Sequence, residues 1–247
     1  MKKKDPIQAF RDERTENIRR MGSDKTLKRL ALNFYVRSVK DRYSYNFEWL
    51  GRPIIQYPQD IVAMQEIIWS ARPDLIIETG IAHGGSVIFS ASMLELLGGN
   101  GRVVGIDIDI RKHNRRKIEA HRLSRRITLI EGSSVAPEVV QKVEKIAKGK
   151  KRIMVILDSN HAYEHVRAEL DCYSPLVTKG SYLIVFDTVI ELLPKGMSKH
   201  RPWDKGSNPM TAVKEFLKGN KNFMVDRNIE NALAITAAPN GFLKRVR

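Results

Sequence analysis

From residue 74 onward, short apolar runs alternate with longer amphipathic stretches, and this alternation limits the possible folds more than any other feature of the chain. The apolar runs predict strands near residues 75–77, 103–106, 127–130, 153–157 and 182–185. The stretches between them predict helices near residues 85–97, 112–123, 136–147 and 161–172. Continuous apolar strands separated by helices are typical of a parallel sheet covered on both faces. The sequence therefore predicts an α/β protein.

The tail of the chain predicts a different arrangement of strands. A helix is expected near residues 209–219, followed by strands near 223–226, 232–236 and 242–245. Strands this close in sequence would close the sheet in an antiparallel manner. There are no internal repeats and no low-complexity linker, so we expect residues 71–247 to form one domain.

Residues 1–70 predict a helical extension that leads into the domain. Residues 1–47 are polar with scattered apolar positions, and residues 49–60 form a loop punctuated by glycine and proline. Asp60 is the expected N-cap of the helix that follows this loop.

The chain has 43 Lys and Arg against 28 Asp and Glu, a formal net charge of +15, concentrated in residues 1–29 and 111–126. Such charge can attract an anionic lipid surface or nucleic acid, or can simply keep a helix solvated. Peripheral membrane contact is favoured over nucleic acid, because no RNA-binding module flanks the sheet and only 7% of residues are aromatic.

The amino-acid composition also bears on the compartment. No apolar stretch approaches the roughly 20 residues of a membrane span, and the start lacks the apolar core of a signal peptide. The single cysteine, Cys172, has no disulfide partner within the chain and fits no zinc or redox spacing. We expect a cytoplasmic protein.

Polar residues follow every predicted parallel strand, where ligands of open α/β sheets bind. In chain order these endings are Glu78-Thr79-Gly80, Asp107-Ile108-Asp109, Glu131-Gly132-Ser133-Ser134, Asp158-Ser159-Asn160-His161 and Asp187-Thr188. Five such endings in succession predict a functional site along one edge of the sheet.

The loop after the first strand indicates which cofactor this site takes. Residues 78–86 form neither the G-x-G-x-x-G fingerprint nor a P-loop. Glu78 would repel a pyrophosphate but suits an ammonium group, and S-adenosylmethionine carries an amino-acid end and no phosphate. Asp107 lies 27 residues beyond Gly80, where a carboxylate can accept hydrogen bonds from ribose hydroxyls. The alternative is a glycine turn used only for tight packing of strand against helix.

Four segments resemble the cephalosporin-hydroxylase-like family, which groups with class I S-adenosylmethionine-dependent methyltransferases and includes rhamnosyl O-methyltransferases. These segments are ARPDLIIETGIAHGGS, ILDSNHAYEHVRAEL, PLVTKGSYLIVFDT and APNGFLKR, within a resemblance that covers roughly residues 45–247. It implies a Rossmann-like fold with a mostly parallel seven-stranded sheet and helices on both faces. It also implies a divalent metal, usually Mg²⁺, and methyl transfer to a hydroxyl, often on a sugar.

The resemblance also implies roles for individual residues. The implied S-adenosylmethionine contacts are Glu78, Gly80, His83, Gly84, Gly85, Ser86, Asp107, Gly132, Ser133, Ser134 and Asp158. Asp158 and Asp187 match the metal-binding carboxylates. The chain departs from several relatives at Asn160 and Phe186, where those relatives have further acids.

Methyl transfer to a hydroxyl requires a proton acceptor beside the acceptor oxygen. His161, three residues after Asp158, is the predicted base; His165, one helical turn further, is the reserve, and Asn160 completes the predicted catalytic residues. An equally open alternative is that His161 is a helix-start residue that forms only local hydrogen bonds. The loop over residues 194–210 predicts a lid, in which Trp203 could stack on a sugar and Arg201 or Lys205 could meet an anionic group.

Three other functions stay open at this point. The protein could be an RNA-binding methyltransferase, or a non-catalytic protein that retains the cofactor fold. A non-haem iron hydroxylase is weakly supported, because no histidine is followed two positions later by an acid. The acceptor could be a small molecule or a lipid-linked glycan, and we expect a homo-oligomer.

Overall fold

The computed structural model describes residues 5–198 and 200–247. The helices are α1 (Pro6–Ser23), α2 (Lys25–Lys40), α3 (Pro58–Ala71), α4 (Gly85–Leu97), α5 (Lys112–Glu119), α6 (Pro137–Ala147), α7 (Tyr163–Tyr173), α8 (Pro209–Gly219) and α9 (Arg227–Leu233). The strands are β1 (Phe47–Trp49), β2 (Arg52–Ile54), β3 (Leu75–Thr79), β4 (Arg102–Asp107), β5 (Ile127–Glu131), β6 (Ile153–Leu157), β7 (Tyr182–Val185), β8 (Phe223–Val225) and β9 (Phe242–Arg245). The first four residues of the basic segment 1–29 and Lys199 of the loop 194–210 lie outside the described residues.

Seven of these strands form one sheet in the order β5-β4-β3-β6-β7-β9-β8. The first five strands in this order are parallel, and β9 runs antiparallel to both β7 and β8. The chain builds β3, β4 and β5 in one direction, then crosses back to place β6 and β7 on the other side of β3. This reversal leaves a crevice at the carboxyl ends of β3 and β6, where open α/β sheets bind ligands.

Alternate residues of the central strands enter two separate cores. On β3, Ile76 packs in the core that contains α3 and α4, whereas Leu75 and Ile77 pack in the core of α6, α7 and α8. Adjacent residues of a strand point to opposite faces, so a strand covered on both sides must be apolar throughout. The predicted mostly parallel seven-stranded sheet with helices on both faces is confirmed.

The N-terminal helices differ in how deeply they are packed. Helix α1 has no buried residue, and its Arg14 forms an ion pair of 2.8 Å with Glu66 of α3. Helix α2 contributes Tyr35 to the larger core, where its ring stacks on Tyr57 at a centroid distance of 4.6 Å. The domain boundary at residues 70 and 71 stays a prediction. Within residues 5–198 and 200–247, no helix is long and apolar enough to cross a membrane.

The strand predicted over residues 232–236 is wrong. Residues 227–233 form α9, whose N-cap Asp226 accepts a hydrogen bond from the amide of Asn228. Ala234 then adopts a left-handed φ of 57° and ends the helix. A short apolar run does not by itself distinguish a strand from the end of a helix, and here residues 232 and 233 belong to α9, which has no buried residue.

The predicted N-cap role of Asp60 is also wrong. Tyr57 is the N-cap of α3, and Pro58 occupies its first turn. Asp60 is fully buried, and its carboxylate accepts hydrogen bonds from the Thr236 hydroxyl and from the Ala237 amide at 2.9 Å. Burial raises the pKa of Asp60 to about 7. Asp60 therefore fixes the C-terminal loop against α3 instead of capping the helix.

Candidate active site

A cavity of about 490 Å³ lies in the crevice at the carboxyl ends of β3, β6 and β7. Eight of the predicted site residues line it: Gly80, His83, Gly85, Ser86, Asp107, Asp158, His161 and Asp187. The loop of residues 194–210 covers one side through Met197, Arg201 and Trp203, and Gln56 and Tyr57 lie on the other side. Tyr35 of α2 also lines the cavity, although nothing in the sequence marks it as a site residue.

The glycine loop after β3 is shaped by close contacts between backbone segments. Gly80 has a φ of +81°, and a Cβ at this position would lie 2.1 Å from the carbonyl oxygen of Asp158. A Cβ on Gly85 would lie 2.2 Å from the carbonyl oxygen of Pro53. Close packing against other backbone segments is therefore enough to explain why glycine occupies both positions. Their role in binding a cofactor stays a prediction, which their position on the cavity supports.

The same loop is held by side chains from three other segments. The Asp107 carboxylate accepts hydrogen bonds from the amides of Ile81, at 3.0 Å, and Ala82, at 3.1 Å. Arg52 donates from Nε to the carbonyl of His83, at 3.0 Å, and from Nη2 to Oδ1 of Asn114, at 2.8 Å. No signal in the sequence marks Arg52 or Asn114. Arg52 is 31 residues from His83 along the chain and 62 residues from Asn114, so no local pattern connects them.

Glu78 lies behind the loop in a small cavity that shares Gln56, Ser86 and Asp158 with the larger one. Burial raises the pKa of Glu78 to about 7, against the opposing hydrogen bond from Ser86. Its Oε2 atom is buried and has no hydrogen-bond partner among the residues that the structure describes. An unpaired buried carboxylate oxygen is costly, so a cationic ligand group beside it would be stabilised.

Asp158, His161 and Asp187 converge at the floor of the cavity. Their nearest ligand atoms all lie within 4.8 Å of one another, and Nε2 of His161 is 3.0 Å from Oδ2 of Asp187. Asp187 reaches this position from the end of β7 with a left-handed φ of 53°, a conformation that is uncommon for residues other than glycine and is often found at functional sites. The set combines two carboxylates and one imidazole, which are all metal-binding groups.

The charges of this cluster are unbalanced. Burial and then the charge of Asp187 raise the pKa of Asp158 well above its ordinary value. Burial also raises the pKa of Asp187, but the charge and hydrogen bond of His161 outweigh it, so this pKa lies below its ordinary value. Burial lowers the pKa of His161, yet the attraction of Asp187 leaves it raised. The imidazolium of His161 pairs with Asp187, whose charge also raises the pKa of Asp158, and a divalent cation would stabilise both carboxylates.

Residues outside the cluster hold its members in place. Gln56 donates a hydrogen bond from Nε2 to Oδ2 of Asp158, at 3.1 Å. The Trp203 ring meets the His161 ring edge to face, at a centroid distance of 4.8 Å and an interplanar angle of 81°. Arg201 lies over the same Trp203 ring, 5.4 Å from its centroid. Lys205, the other cation predicted to meet the acceptor, is exposed and does not line the cavity.

Several predicted site residues do not line the cavity in the structure. These are Gly84, Gly132, Ser133, Ser134, Asn160 and His165. The Ser134 hydroxyl donates to the buried carboxylate of Glu169, at 2.6 Å, as does Ser159, at 2.7 Å. His165 contacts the same two hydroxyls, so it belongs to a network that joins the ends of β5 and β6 to α7. Asn160 accepts a hydrogen bond from the Ala162 amide, at 2.9 Å, at the start of α7.

The sheet order, the glycine loop after β3 and the acidic ends of β4, β6 and β7 define the class I methyltransferase architecture. A family model described as Rhamnosyl O-methyltransferase/CmcI matches residues 41–246. The chain belongs to this family. The predictions of the family, of the Rossmann-like fold and of an O-methyltransferase are confirmed.

Similar proteins of known identity support this assignment. The chain is 31% identical to the rhamnosyl O-methyltransferase of Mycobacterium tuberculosis over 195 residues, which cover 75% of this chain and 73% of the relative. It is 30% identical to the rhamnosyl O-methyltransferase of Mycobacterium leprae over 206 residues, or 80% and 82% of the two chains.

Solved structures share the fold at lower identity. A structure of CmcI with Mg and SAM has a TM-score of 0.58 and 19% identity, and the match covers 82% of this chain and 78% of that one. An O-methyltransferase from Bacillus cereus in complex with SAH has a TM-score of 0.52 and 18% identity, with 82% of each chain covered.

Proposed function

We propose that this protein transfers the methyl group of S-adenosylmethionine to a hydroxyl of a sugar, with the help of a divalent cation. The observation that carries the proposal is the shared cavity in which the glycine loop meets the Asp158, His161 and Asp187 cluster. A methyltransferase of this kind needs both features within reach of one bound acceptor. The names of the mycobacterial relatives support rhamnose, or a similar sugar, as the acceptor.

The residues of the glycine loop fit S-adenosylmethionine. The unpaired buried oxygen of Glu78 suits the ammonium of the methionine part, and Gly80 and Ser86 line the space in front of it. Asp107 also lines the cavity, and each carboxylate oxygen can accept more than one hydrogen bond. It can therefore hold both the Ile81 amide and a ribose hydroxyl.

Asp158 and Asp187 would hold the cation, since carboxylate oxygens are the ligands that divalent ions such as Mg²⁺ prefer. A bound divalent cation orients a hydroxyl beside it and lowers the pKa of that hydroxyl. In the transfer itself, the acceptor oxygen bonds to the methyl carbon, the carbon–sulfur bond breaks with its electron pair staying on the sulfur of S-adenosylhomocysteine, and the hydroxyl proton passes to water. The protein favours this step by alignment, because an in-line displacement requires the acceptor oxygen opposite the sulfur.

Trp203 and Arg201 are the proposed acceptor contacts. The aromatic face of Trp203 offers an apolar surface for the carbon–hydrogen face of a sugar ring, and Arg201 offers donors for its oxygens. Both lie on the side of the cavity next to His161, where the acceptor hydroxyl has to reach the cation site.

Isothermal titration with S-adenosylhomocysteine tests the cofactor assignment, and methylation of a rhamnoside with radiolabelled S-adenosylmethionine tests the reaction. We expect micromolar binding and methyl incorporation that stops in excess chelator and returns with added divalent ion. Binding without incorporation into any sugar would leave a cofactor-binding protein with another acceptor. The absence of binding would overturn the proposal.

We also infer that α5 lies against an anionic membrane surface from the cytoplasmic side, which would suit a lipid-linked acceptor. Arg111, Lys112, Arg116 and Lys117 are exposed on this helix, and Ile108 beside it is 73% exposed. Lysine and arginine near such a surface contribute about 1 kcal/mol each. The protein should sediment with phosphatidylserine vesicles but not with phosphatidylcholine vesicles, and about 0.5 M salt should release it. Preferential binding to RNA would favour the nucleic-acid alternative.

A homo-oligomer is the last part of the proposal. Leu30 and Phe34 of α2 are 57% and 42% exposed, and an apolar face on a helix is a common subunit contact. Light scattering at micromolar concentration should give a mass above that of one chain, and Phe34→Glu should lower it.

A further inference from the structure

We propose that His161 is the third protein ligand of the divalent cation, and that its imidazole makes the site prefer a first-row transition ion such as Co²⁺ or Fe²⁺ over Mg²⁺. The inference rests on the proposed function, because it specifies the cation that the active site would hold.

The first support is the spacing of the ligand atoms. Bonds from a metal ion to imidazole nitrogen or carboxylate oxygen are about 2.1 Å, so two ligands at a right angle are about 3.0 Å apart and two opposite ligands about 4.2 Å. Nε2 of His161 and Oδ2 of Asp187 are 3.0 Å apart, and the whole set spans no more than 4.8 Å. His161 and Asp187 are therefore spaced as adjacent ligands of one ion, and Asp158 lies close enough to join them after a small shift.

The second support is that contacts within the protein orient the ligands before any ion binds. Gln56 holds Asp158 by a hydrogen bond of 3.1 Å, and the edge-to-face contact with Trp203 restrains the plane of the His161 ring. The left-handed backbone of Asp187 turns its carboxylate towards His161. Such outer contacts fix ligand geometry in metal sites and affect metal affinity by about 10- to 100-fold.

The third support is the chemistry of the neighbouring residues. Asn160 uses its side-chain oxygen to accept the Ala162 amide, and Phe186 is an apolar residue buried in the core. Neither can complete the coordination of Asp158 and Asp187. In the described part of the chain, residues 5–198 and 200–247, His161 is the metal-binding group found beside these two carboxylates. Imidazole favours first-row transition ions, whereas Mg²⁺ prefers oxygen.

The ligand role also differs from the predicted role of general base. A base at this position needs a free ring nitrogen aimed at the acceptor. Nε2 of His161 is paired with the Asp187 carboxylate, so a base role would fall to Nδ1, whereas the ligand role uses Nε2. As a ligand it would use this same nitrogen once the proton has left.

The decisive measurement is pulsed electron paramagnetic resonance of the full-length protein loaded with Mn²⁺, in which a directly bound imidazole gives a ¹⁴N coupling. We expect this coupling in the wild type and its loss in His161→Gln, while His83→Gln, which changes a histidine in the same cavity, keeps it. Bound Mn²⁺ without ¹⁴N coupling in the wild type would overturn the inference and leave the proposed function intact. The absence of any divalent binding would overturn the metal part of the proposed function itself.

Competition between Co²⁺ and Mg²⁺ tests the preference. Removing the imidazole should weaken Co²⁺ binding by at least about 100-fold, which is more than the loss of an outer contact, and should weaken Mg²⁺ binding by much less. His161→Asp, which supplies oxygen in its place, should shift the preference towards Mg²⁺. An unchanged ratio of the two affinities in His161→Gln would show that the histidine does not select the ion. Circular dichroism of each variant checks that it is folded.

Discussion

Apart from the unpaired oxygen of Glu78, the two sides of the active-site cavity differ in how far the protein satisfies its own polar groups. On the cofactor side, Asp107, Arg52 and Asn114 provide partners for the backbone of the glycine loop, and the space beside Gly80 is filled by the backbone of Asp158. On the metal side, one imidazole faces two half-buried carboxylates, and the pKa of Asp158 is raised by burial and by Asp187.

This difference indicates what each side contributes. The glycine loop is preorganised by hydrogen bonds and packing, so a cofactor can bind it with little rearrangement. The metal side stores electrostatic repulsion that a cation relieves, and its final geometry depends on that cation. Substitutions on the two sides should therefore have separable effects.

The largest effect is expected from Asp158→Asn. This substitution removes a metal ligand, so methyl transfer should fall by at least about 100-fold, while S-adenosylhomocysteine binding changes little. It also removes the repulsion from Asp187, so the melting temperature of the metal-free protein should rise. Asp109→Asn is the control, because Asp109 is exposed and follows β4, another parallel strand. It should change neither the rate of methyl transfer nor the melting temperature. Equal turnover in the two variants would contradict the metal role.

Gly80→Ala tests the packing of the cofactor side. Its Cβ would lie 2.1 Å from the Asp158 carbonyl, and the unfolding free energy should fall by about 3 kcal/mol or more. Gly51 has almost the same φ, +80°, and a Cβ added there would meet nothing within 4 Å, so Gly51→Ala isolates the backbone strain of about 1 kcal/mol. Denaturant unfolding measures both. Equal losses would show that the contact with Asp158 relaxes easily.

The pH dependence of cofactor affinity tests the assignment of Glu78. Its pKa is about 7 in the free protein, and a ligand ammonium would lower it, so binding would release a proton. Affinity for S-adenosylhomocysteine should therefore increase by about tenfold from pH 6 to pH 8 and level off above pH 7. Calorimetry with Glu78→Gln should show no such increase, and a variant that keeps it would place the titrating group elsewhere.

The smallest effect is expected from Arg52→Lys. Lysine keeps the charge but cannot make the forked contact with the His83 carbonyl and Asn114. Cofactor affinity should fall by about fivefold, and divalent-metal affinity should stay the same. A parallel loss of metal affinity would mean that the two sides of the cavity are coupled.

Local patterns predicted most of the sheet and part of the site. The apolar runs located β3 to β7, and the polar residues after them placed Asp107, Asp158 and Asp187 at the cavity, since the carboxyl ends of parallel strands share one edge. The same patterns were wrong near the C-terminus, where residues 232–236 form the end of α9 and the turn that follows it.

The sequence by itself determined the α/β architecture, because apolar strands and the polar residues that follow them can be recognised from residues that are adjacent in the chain. Only the tertiary structure decided that Gln56 meets Asp158, 102 residues away, and that His161 faces Asp187. It also decided that Asp60 is a buried anchor for the C-terminal loop. Such contacts depend on how whole helices and strands pack, and no local pattern of residues records that packing.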